Sequence, residues 1–224
     1  MATDNLPGTD AARHGTGAAD LTIMYAAHDA FRRDLVSLAR AAGGDLSDPA
    51  KQQSVAAGWE VFKRQLHVHH TSEDEFIWPV LRTKFARSDS ALSVLDAMEQ
   101  EHAQIDPLLA AVDDAFARRR ADVCFDRLAD VVDVLVTSLT DHLDHEEREG
   151  LPLIGTGLTG AEWRKVGRRI GLKNGLSEGS QMFAWMLSDA GSDRTKQTIA
   201  QLPPPLRVLY RAVWKPRFEK TPRW

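Results

Sequence analysis

The sequence predicts an all-α protein, in which an up-down-up-down four-helix bundle is followed by a helical C-terminal extension. Four stretches of about 20 residues carry apolar side chains at steps of three and four, and short polar loops join them. No stretch reads as a β-strand. We therefore divide the chain into an N-terminal segment expected to be disordered, the bundle and the extension, which cover residues 1–19, 20–155 and 156–224.

Capping residues delimit the first two predicted helices. Asp20 precedes the first apolar stretch as an N-cap, and the glycine pair at 43–44 follows its end. Asp48 caps the second helix and Pro49 takes its first position, where the missing N–H has no cost. The second helix continues until Pro79, which is expected to end or kink it because proline cannot make the helical hydrogen bond.

Similar signals delimit the third and fourth helices. The third begins in the "SDS" at 88–90 and runs through about Arg118. The fourth is expected to start at Asp122 and to stop near Gly150 and Pro152, since both residue types are typical of a helix end.

In the extension the predicted helices are shorter. The "TGAE" at 159–162 has the pattern of a capping box, and helices are expected near 160–170, 177–189 and 193–200. After the proline run at 203–205, the last segment carries six Lys or Arg against one acidic residue.

An aromatic stripe follows this basic segment, which we call the tail (residues 204–224). Leu206, Tyr210, Trp214 and Phe218 recur every four residues and so share one helix face. Two interpretations remain open. The tail is either a lid that docks on the protein's own bundle, or a contact for a protein partner, an acidic surface or a membrane face.

The composition excludes several kinds of site. A formal net charge of -4 gives no overall electrostatic footprint for nucleic acid. Cys124 is the only cysteine, which excludes an intramolecular disulfide and a multi-thiolate metal site. The N-terminus lacks the apolar core of a secretory signal, and no run reaches the ~18 apolar residues of a membrane span, so we expect a cytoplasmic protein.

Each predicted helix places ionisable residues on the face that it buries. The second and fourth helices each end their apolar stripe with a histidine and a glutamate, and the first and third helices carry one histidine within the stripe. These six residues are His28, His69, Glu73, His102, His142 and Glu146. The apolar members of the four stripes are Leu21, Met24, Phe31, Leu35 and Leu38; Val55, Trp59, Phe62 and Leu66; Leu95, Met98, Ile105, Leu109, Val112 and Phe116; and Leu128, Val131, Leu135 and Leu139.

The arrangement repeats along the chain. His69 and His142 are each followed by a glutamate four residues later and by a proline ten residues later. The two halves superimpose with a shift of 73 or 74 residues. An internal duplication of a helical hairpin explains this, and packing the two hairpins together would converge four imidazoles and two carboxylates at one level of the core.

Buried charges at this level call for a cation. Each unpaired buried charge costs several kcal/mol, whereas a metal ion neutralises carboxylates and accepts imidazole lone pairs. Four nitrogens and two carboxylates exceed the ligand set of one tetrahedral zinc and suit two metals, each with two histidines and both bridged by the glutamates. Imidazole together with carboxylate favours iron, with manganese or zinc as weaker candidates.

The bundle resembles the hemerythrin-like (HHE cation-binding) family over residues 20–155. The matching motifs are the lone histidine in "MYAAHDAFRR", then "HHTSEDEFIWP", "EHAQIDPLL" and "DHLDHEEREGLP". The resemblance implies an oxo- or hydroxo-bridged di-iron site. The implied ligands are His28 and His69 on one iron, His102 and His142 on the other, and Glu73 and Glu146 as bridges.

The chain departs from the oxygen-carrying members of that family. Those members have a second histidine one turn after the third-helix histidine, where this sequence has Asp106, so one iron lacks a ligand. Asp106 could fill the gap, although Pro107 pulls it away from ideal helical geometry. Solvent or Tyr25, one turn from His28, could also complete the site, and simple oxygen transport is therefore not expected.

Other tempting residues are assigned to the surroundings of the site. His67, His70 and His145 lie beside the predicted ligands but off the apolar stripes, so they are interpreted as surface groups or as neighbours that orient a ligand. The carboxylates of Glu75, Glu101 and Glu147 are assigned to solvated faces or to acceptors of imidazole N–H groups.

A redox metal pair with open positions binds small ligands, which leaves three functional classes. The protein is an enzyme of catalase or peroxidase type acting on peroxide or a related oxidant, or a module that binds O₂ or nitric oxide for sensing or storage, or an iron-handling protein that meets a partner through the tail. The sequence does not decide whether it is an enzyme.

Overall fold

The computed structural model describes residues 17–120 and 126–224, without the side chains of residues 119–120 and 126–127. The predictions for residues 1–16, for a helix start at Asp122 and for Cys124 lie outside these residues. The elements are α1 Thr22–Ala42, α2 Pro49–Ser72, π1 Glu73–Ile77, α3 Trp78–Lys84, α4 Asp89–Arg120, α5 Asp126–His145, π2 Glu146–Gly150, α6 Leu151–Gly157, α7 Gly160–Met186, α8 Ser192–Ala200, α9 Pro204–Leu209, π3 Tyr210–Trp214 and α10 Lys215–Glu219.

The described residues contain helices and no β-strand, which confirms the all-α class. Asp48 accepts a hydrogen bond from the Ala50 N–H at 3.0 Å, and Pro49 opens α2 as predicted. The capping box at the start of α7 is also present, with Thr159 as the N-cap. The N-cap of α1 is residue 21, so Asp20 lies one position before the N-cap that was predicted for it. Its side chain still accepts a hydrogen bond from the Thr22 N–H at 3.0 Å.

The prolines at 79 and 152 do not end their helices, and the prediction that the fourth helix stops near Gly150 is wrong. A widened π-helical turn precedes each proline, and a further α-helix follows it. Proline has no N–H and its ring crowds the carbonyl four residues earlier, so one extra residue in the preceding turn accommodates it. The same device recurs in the tail, where π3 precedes Pro216.

The bundle core is continuous around the predicted site. α1 packs against both α2 and α5, and α4 packs against α5. All but four of the apolar stripe residues predicted from the sequence are buried. The four exceptions, which are half-buried, are Leu21, Leu109, Phe116 and Val131. In the core, Val132 takes the place predicted for Val131. The up-down-up-down order of the helices stays a prediction. No described helix has the length and apolar character needed to cross a membrane.

The extension packs along the bundle. α7 contacts α1, α2 and π1, and its backbone leaves helical geometry at Gly175 (φ 75°), so it consists of two helical segments where two helices are predicted. Glycine is required there because other residues rarely adopt a positive φ. Near the end of α7, the Trp185 ring lies 4.8 Å from that of Phe31 and its N–H donates to the buried carboxylate of Asp34 at 2.7 Å.

The aromatic stripe of the tail docks on the extension itself. Tyr210 and Trp214 are buried among residues of α7 and α8, and Leu206 and Phe218 pack against the same cluster. At the end of the chain, Trp224 lies against Gly58 of α2, where a Cβ would come within 2.6 Å of the indole. The apolar face of the tail is therefore used within the protein, but mainly against the extension and not against the bundle, as the lid interpretation has it.

Candidate metal centre

Helix geometry brings all six predicted ligands to one level of the core. His28 lies near the start of α1, and His69 lies near the end of α2. Each glutamate is the first residue of a π-helical turn, one turn after its histidine. All six side chains are buried, with exposed fractions from 0 to 6 %. The six are His28, His69, Glu73, His102, His142 and Glu146.

Within this level the structure forms two groups of potential ligand atoms, and in each group the atoms lie within 4.8 Å of one another. The first group, which we call cluster A, contains His28, His69, Glu73 and Glu146. The second, cluster B, contains His70, His102 and His142. The structure thus adds one histidine to the set predicted from the sequence.

The carboxylate of Glu73 reaches both clusters. Its Oε1 lies 3.1 Å from Nε2 of His69 in cluster A, and its Oε2 lies 3.5 Å from Nε2 of His102 in cluster B. On the opposite side of cluster A, Glu146 Oε2 lies 3.1 Å from Nε2 of His28. Glu73 therefore has the position expected of a carboxylate that bridges two cations.

Unpartnered polar atoms test whether a metal pair fits this cavity. Of the buried side-chain atoms without a hydrogen-bond partner in the described residues, seven belong to the two clusters: both carboxylate oxygens of Glu73 and Glu146, and Nε2 of His70, His102 and His142. Buried polar groups normally find partners, because each one left without costs about 1–3 kcal/mol. Imidazole nitrogens and carboxylate oxygens are ligands for iron, so cations bound among them would satisfy all seven atoms.

Comparison with protein families identifies the fold around this cavity. Residues 13–154 match the model of the Hemerythrin HHE cation binding domain. The chain belongs to the hemerythrin family. Searches of curated proteins and of solved structures give no match at the same stringency. The family assignment establishes a cation-binding domain, and the His and Glu clusters of this hemerythrin-like protein are suited to a metal.

Charges in the hemerythrin-like cavity are strongly linked to one another. Burial alone would lower the pKa of His28, but the carboxylates of Glu146 and Glu147 raise it to about 9. Burial alone would raise the pKa of Glu146, but the nearby charge of His28 lowers it to about 2. Burial, with Glu146 nearby, raises the pKa of Glu73 well above its usual range. One imidazole thus compensates one carboxylate, and the second carboxyl group is held neutral unless a further cation is bound beside it.

Cluster B consists of imidazoles in close contact. The ring of His70 stacks on that of His102 with centroids 3.9 Å apart, and the ring of His142 meets both at steep angles. Burial, together with the neighbouring His102, lowers the pKa of His70 well below its usual value. His70 is therefore neutral, and its buried Nε2 is available as a ligand.

Outer carboxylates hold three of the histidines through their other ring nitrogen. Nδ1 of His28 lies 2.9 Å from Glu147, and Nδ1 of His102 lies 2.9 Å from Asp74. When that nitrogen carries the proton and donates it to the carboxylate, Nε2 is left free to bind a metal and becomes a stronger base. The residue that follows each bridging glutamate thus orients the lone histidine contributed by the other half of the repeat.

Glu101 is the third outer carboxylate, and its two oxygens hold two histidines. Nδ1 of His142 lies 2.8 Å from Oε2, and Nδ1 of His145 lies 2.7 Å from Oε1. His145 is partly exposed and does not belong to either cluster. This arrangement fits the assignment of Glu101 and Glu147 as imidazole acceptors, and it places His145 beside the site.

Among the alternative ligands suggested by the sequence, the structure selects His70. Asp106 is exposed on α4 and lies outside both clusters. Tyr25 packs half-buried against the apolar residues below the site. His67 is exposed as expected, but the interpretation of His70 as a group off the buried face is wrong. His70 thus lies with His102 and His142, in the cluster to which the third helix contributes one histidine.

The extension forms part of the wall around cluster A. The Phe31 ring lies 5.2 Å from that of His69, and Trp185 of α7 covers Phe31 from outside. One helical turn before His69, the buried amide of Gln65 donates to Glu178 of α7 at 3.3 Å. Aromatic and aliphatic side chains of both regions therefore exclude water from this side of the site.

Proposed function

We propose that this protein is a non-haem di-iron protein that binds or reduces small oxidants, namely O₂, nitric oxide or peroxide. The observation that carries the proposal is the set of seven unpartnered buried atoms, which lie in cluster A and in cluster B, with the Glu73 carboxylate between the two. Cluster A would hold one iron and cluster B the other, with Glu73 and Glu146 between them. Iron is the proposed metal because the donors combine imidazole with carboxylate.

The two metal positions are unequal. Cluster B offers three imidazoles, whereas cluster A offers two imidazoles and the carboxylates of Glu73 and Glu146. With both glutamates shared between the metals, the position of His28 and His69 would have one imidazole fewer and more room for a small molecule. Two irons at these positions can share a two-electron change between ferrous and ferric states, which is the chemistry needed to bind or reduce an oxidant. The protein's part is to orient the imidazoles, to exclude water and to keep the two positions different.

Metal content and the ultraviolet–visible spectrum test the centre directly. Protein purified after growth with iron should contain about two irons per chain, with oxo-to-iron charge-transfer bands that bleach on reduction. A folded helical protein with a single zinc, or with no metal even after anaerobic ferrous loading, would overturn the proposal.

Peroxide and nitric oxide then separate the two forms of the proposed activity. Rapid gas release from the ferric protein on addition of peroxide indicates an enzyme of catalase type, and consumption of peroxide with a reductant indicates a peroxidase. A reversible spectral change with O₂ or nitric oxide and no turnover indicates a binding or sensing module. Failure of every oxidant to change the spectrum of an intact di-iron centre would contradict both forms.

A further inference from the structure

Charge is divided unevenly between the bundle and the extension. Residues 156–224 hold 13 of the 28 Lys and Arg but only 5 of the 32 Asp and Glu, a formal charge of +8 against -12 for residues 1–155. The net value of -4 hides this division. The extension therefore carries its own electrostatic surface, opposite in sign to that of the metal-binding part.

The first half of α7 concentrates this charge on one face. Trp163, Val166 and Ile170 lie on the inner face and pack on the bundle. Lys165 and Arg168, at positions between them, are exposed and lie on the opposite face. Arg169 and Lys173 are also exposed, and both approach the ring of Phe76 on π1, which fixes the helix against the bundle.

Large apolar side chains are exposed at the centre of this basic face. Leu172 is 78 % exposed and shares the outer face with Lys165 and Arg168 at steps of three and four. Leu176 follows the Gly175 kink and is 60 % exposed. Leu172 is the most exposed of the large hydrophobic residues in the described part of the chain. A contact is therefore inferred from these leucines in combination with the basic residues around them, since single exposed leucines are common on protein surfaces.

The outer face of the tail has the same composition. Its aromatic side chains are buried, which leaves Arg211, Arg217 and Lys220 outside together with Val208, 66 % exposed, and Val213, 46 % exposed. Four of the seven exposed large hydrophobic residues of the described chain therefore belong to the extension, each among Lys and Arg.

We infer that the extension docks the protein on an anionic lipid bilayer, with the outer face of α7 as the main contact. Lys165, Arg168 and Arg169 would lie at the headgroups, and Leu172 and Leu176 would enter the interface between headgroups and acyl chains. The combination favours a bilayer over nucleic acid, because nucleic acid offers phosphates to the cations but no apolar phase to the leucines. The bundle, which belongs to the part of the chain with a formal charge of -12 (residues 1–155), would face away from the surface.

Vesicle flotation with the full-length, metal-loaded protein tests this inference. The vesicles are phosphatidylcholine alone, or phosphatidylcholine with about one-third phosphatidylglycerol, at low and at high ionic strength. Binding is expected only to the anionic vesicles, and it should weaken as salt is added. Leu172→Ser with Leu176→Ser, and separately Lys165→Glu with Arg168→Glu, should each lower the partition coefficient about tenfold or more.

Matched controls come from the bundle. Arg40→Glu with Arg87→Glu changes the net charge by the same amount at two exposed positions, and Val36→Ser with Val134→Ser removes two exposed hydrophobic residues. Both controls should leave vesicle binding unchanged. The inference fails if the protein ignores anionic vesicles at low salt, if the controls weaken binding as much as the α7 variants, or if the α7 variants abolish binding to duplex DNA or self-association instead.

Discussion

The two halves of the bundle share one local arrangement but differ in the side chains that surround it. In each half an α-helix delivers a histidine, a π-helical turn begins at the glutamate that follows, and a proline lies six residues after that glutamate. The first half adds a second histidine, His70, where the second half has the apolar Leu143. The second half adds the outer carboxylate Glu101, where the first half has the buried Ala27. Both additional side chains, His70 and Glu101, lie in or beside cluster B.

This difference shows how a duplicated hairpin acquires two unequal metal positions. The shared features, histidine, glutamate and proline, provide what both metals need. The unshared features give cluster B three nitrogens and two outer carboxylates, Asp74 and Glu101, whereas cluster A keeps two nitrogens and one outer carboxylate, Glu147. In the proposed function, the position with one imidazole fewer would be the one that stays open for a small molecule.

Removing a shared glutamate should have the largest effect. Glu73→Ala or Glu146→Ala should release most of the metal from both clusters and lower the metal-dependent part of the unfolding free energy, about 4 kcal/mol at a thousandfold excess of metal over its dissociation constant. Metal analysis and thermal unfolding measure this. Glu60→Ala, on the exposed face of α2, is the control, and unchanged metal content in the Glu73 variant would refute its assignment.

Making the two halves alike at one position should remove one metal. His70→Leu places in α2 the residue that α5 has at Leu143, so we expect about half the iron of the parent protein, with loss from cluster B. Iron content and the charge-transfer spectrum check this. The control is His67→Leu, three residues earlier on α2 and exposed, which should leave both irons in place. Equal losses of iron in the two variants would mean that His70 is a packing residue and not a ligand.

Loss of an outer carboxylate should weaken one cluster without emptying it. Glu101→Gln keeps the size of the side chain but weakens the hydrogen bond that it accepts from Nδ1 of His142. We therefore expect the affinity of the metal at cluster B to fall about 10–100-fold. Stepwise metal titration resolves the two affinities. His145→Ala removes the other partner of Glu101 and should change them little, so a fall there comparable to that of Glu101→Gln would show that His145 is a necessary member of the site.

The smallest expected effect concerns Gly150 at the end of π2. A Cβ there would lie 3.0 Å from Cγ of Glu146 and 3.4 Å from Sδ of Met98, whereas the matching position of π1 holds Ile77. Gly150→Ala should shift Glu146 slightly and lower metal affinity by less than about tenfold. Gly155→Ala in α6, with open space at its Cβ, is the control and should stabilise the helix by about 1 kcal/mol. A stronger metal loss in the control would be contrary to this account.

Sequence reasoning predicted the features that depend on local chemistry. The cap at Asp48, the capping box at Thr159 and the inward position of His69 and Glu73 follow from residue type and helical spacing. The continuation of the helices beyond Pro79 could not be predicted from the proline itself, because a π-helical turn depends on how the surrounding core accepts one extra residue.

The burial of His70 was not predicted because the sequence analysis assigned only one residue per helical turn to the buried stripe. A helix inside a bundle buries a wider face, and adjacent positions can both reach the core. α2 shows this in three neighbouring pairs that are fully buried, Gly58 with Trp59, Gln65 with Leu66, and His69 with His70. The signal in the sequence was thus the histidine pair itself, at the level where two other helices also supply histidines.

The division of cluster A between the two hairpins has a consequence for how the protein matures. Its ligands include His28, His69 and Glu73, which leave the ribosome early, but Glu146 follows Glu73 by 73 residues. An emerging first hairpin therefore exposes imidazoles and a carboxylate to any cation in its surroundings before the enclosing partner exists. A wrong metal can therefore bind during the time between the synthesis of Glu73 and that of Glu146. That time ends when the second hairpin folds against the first.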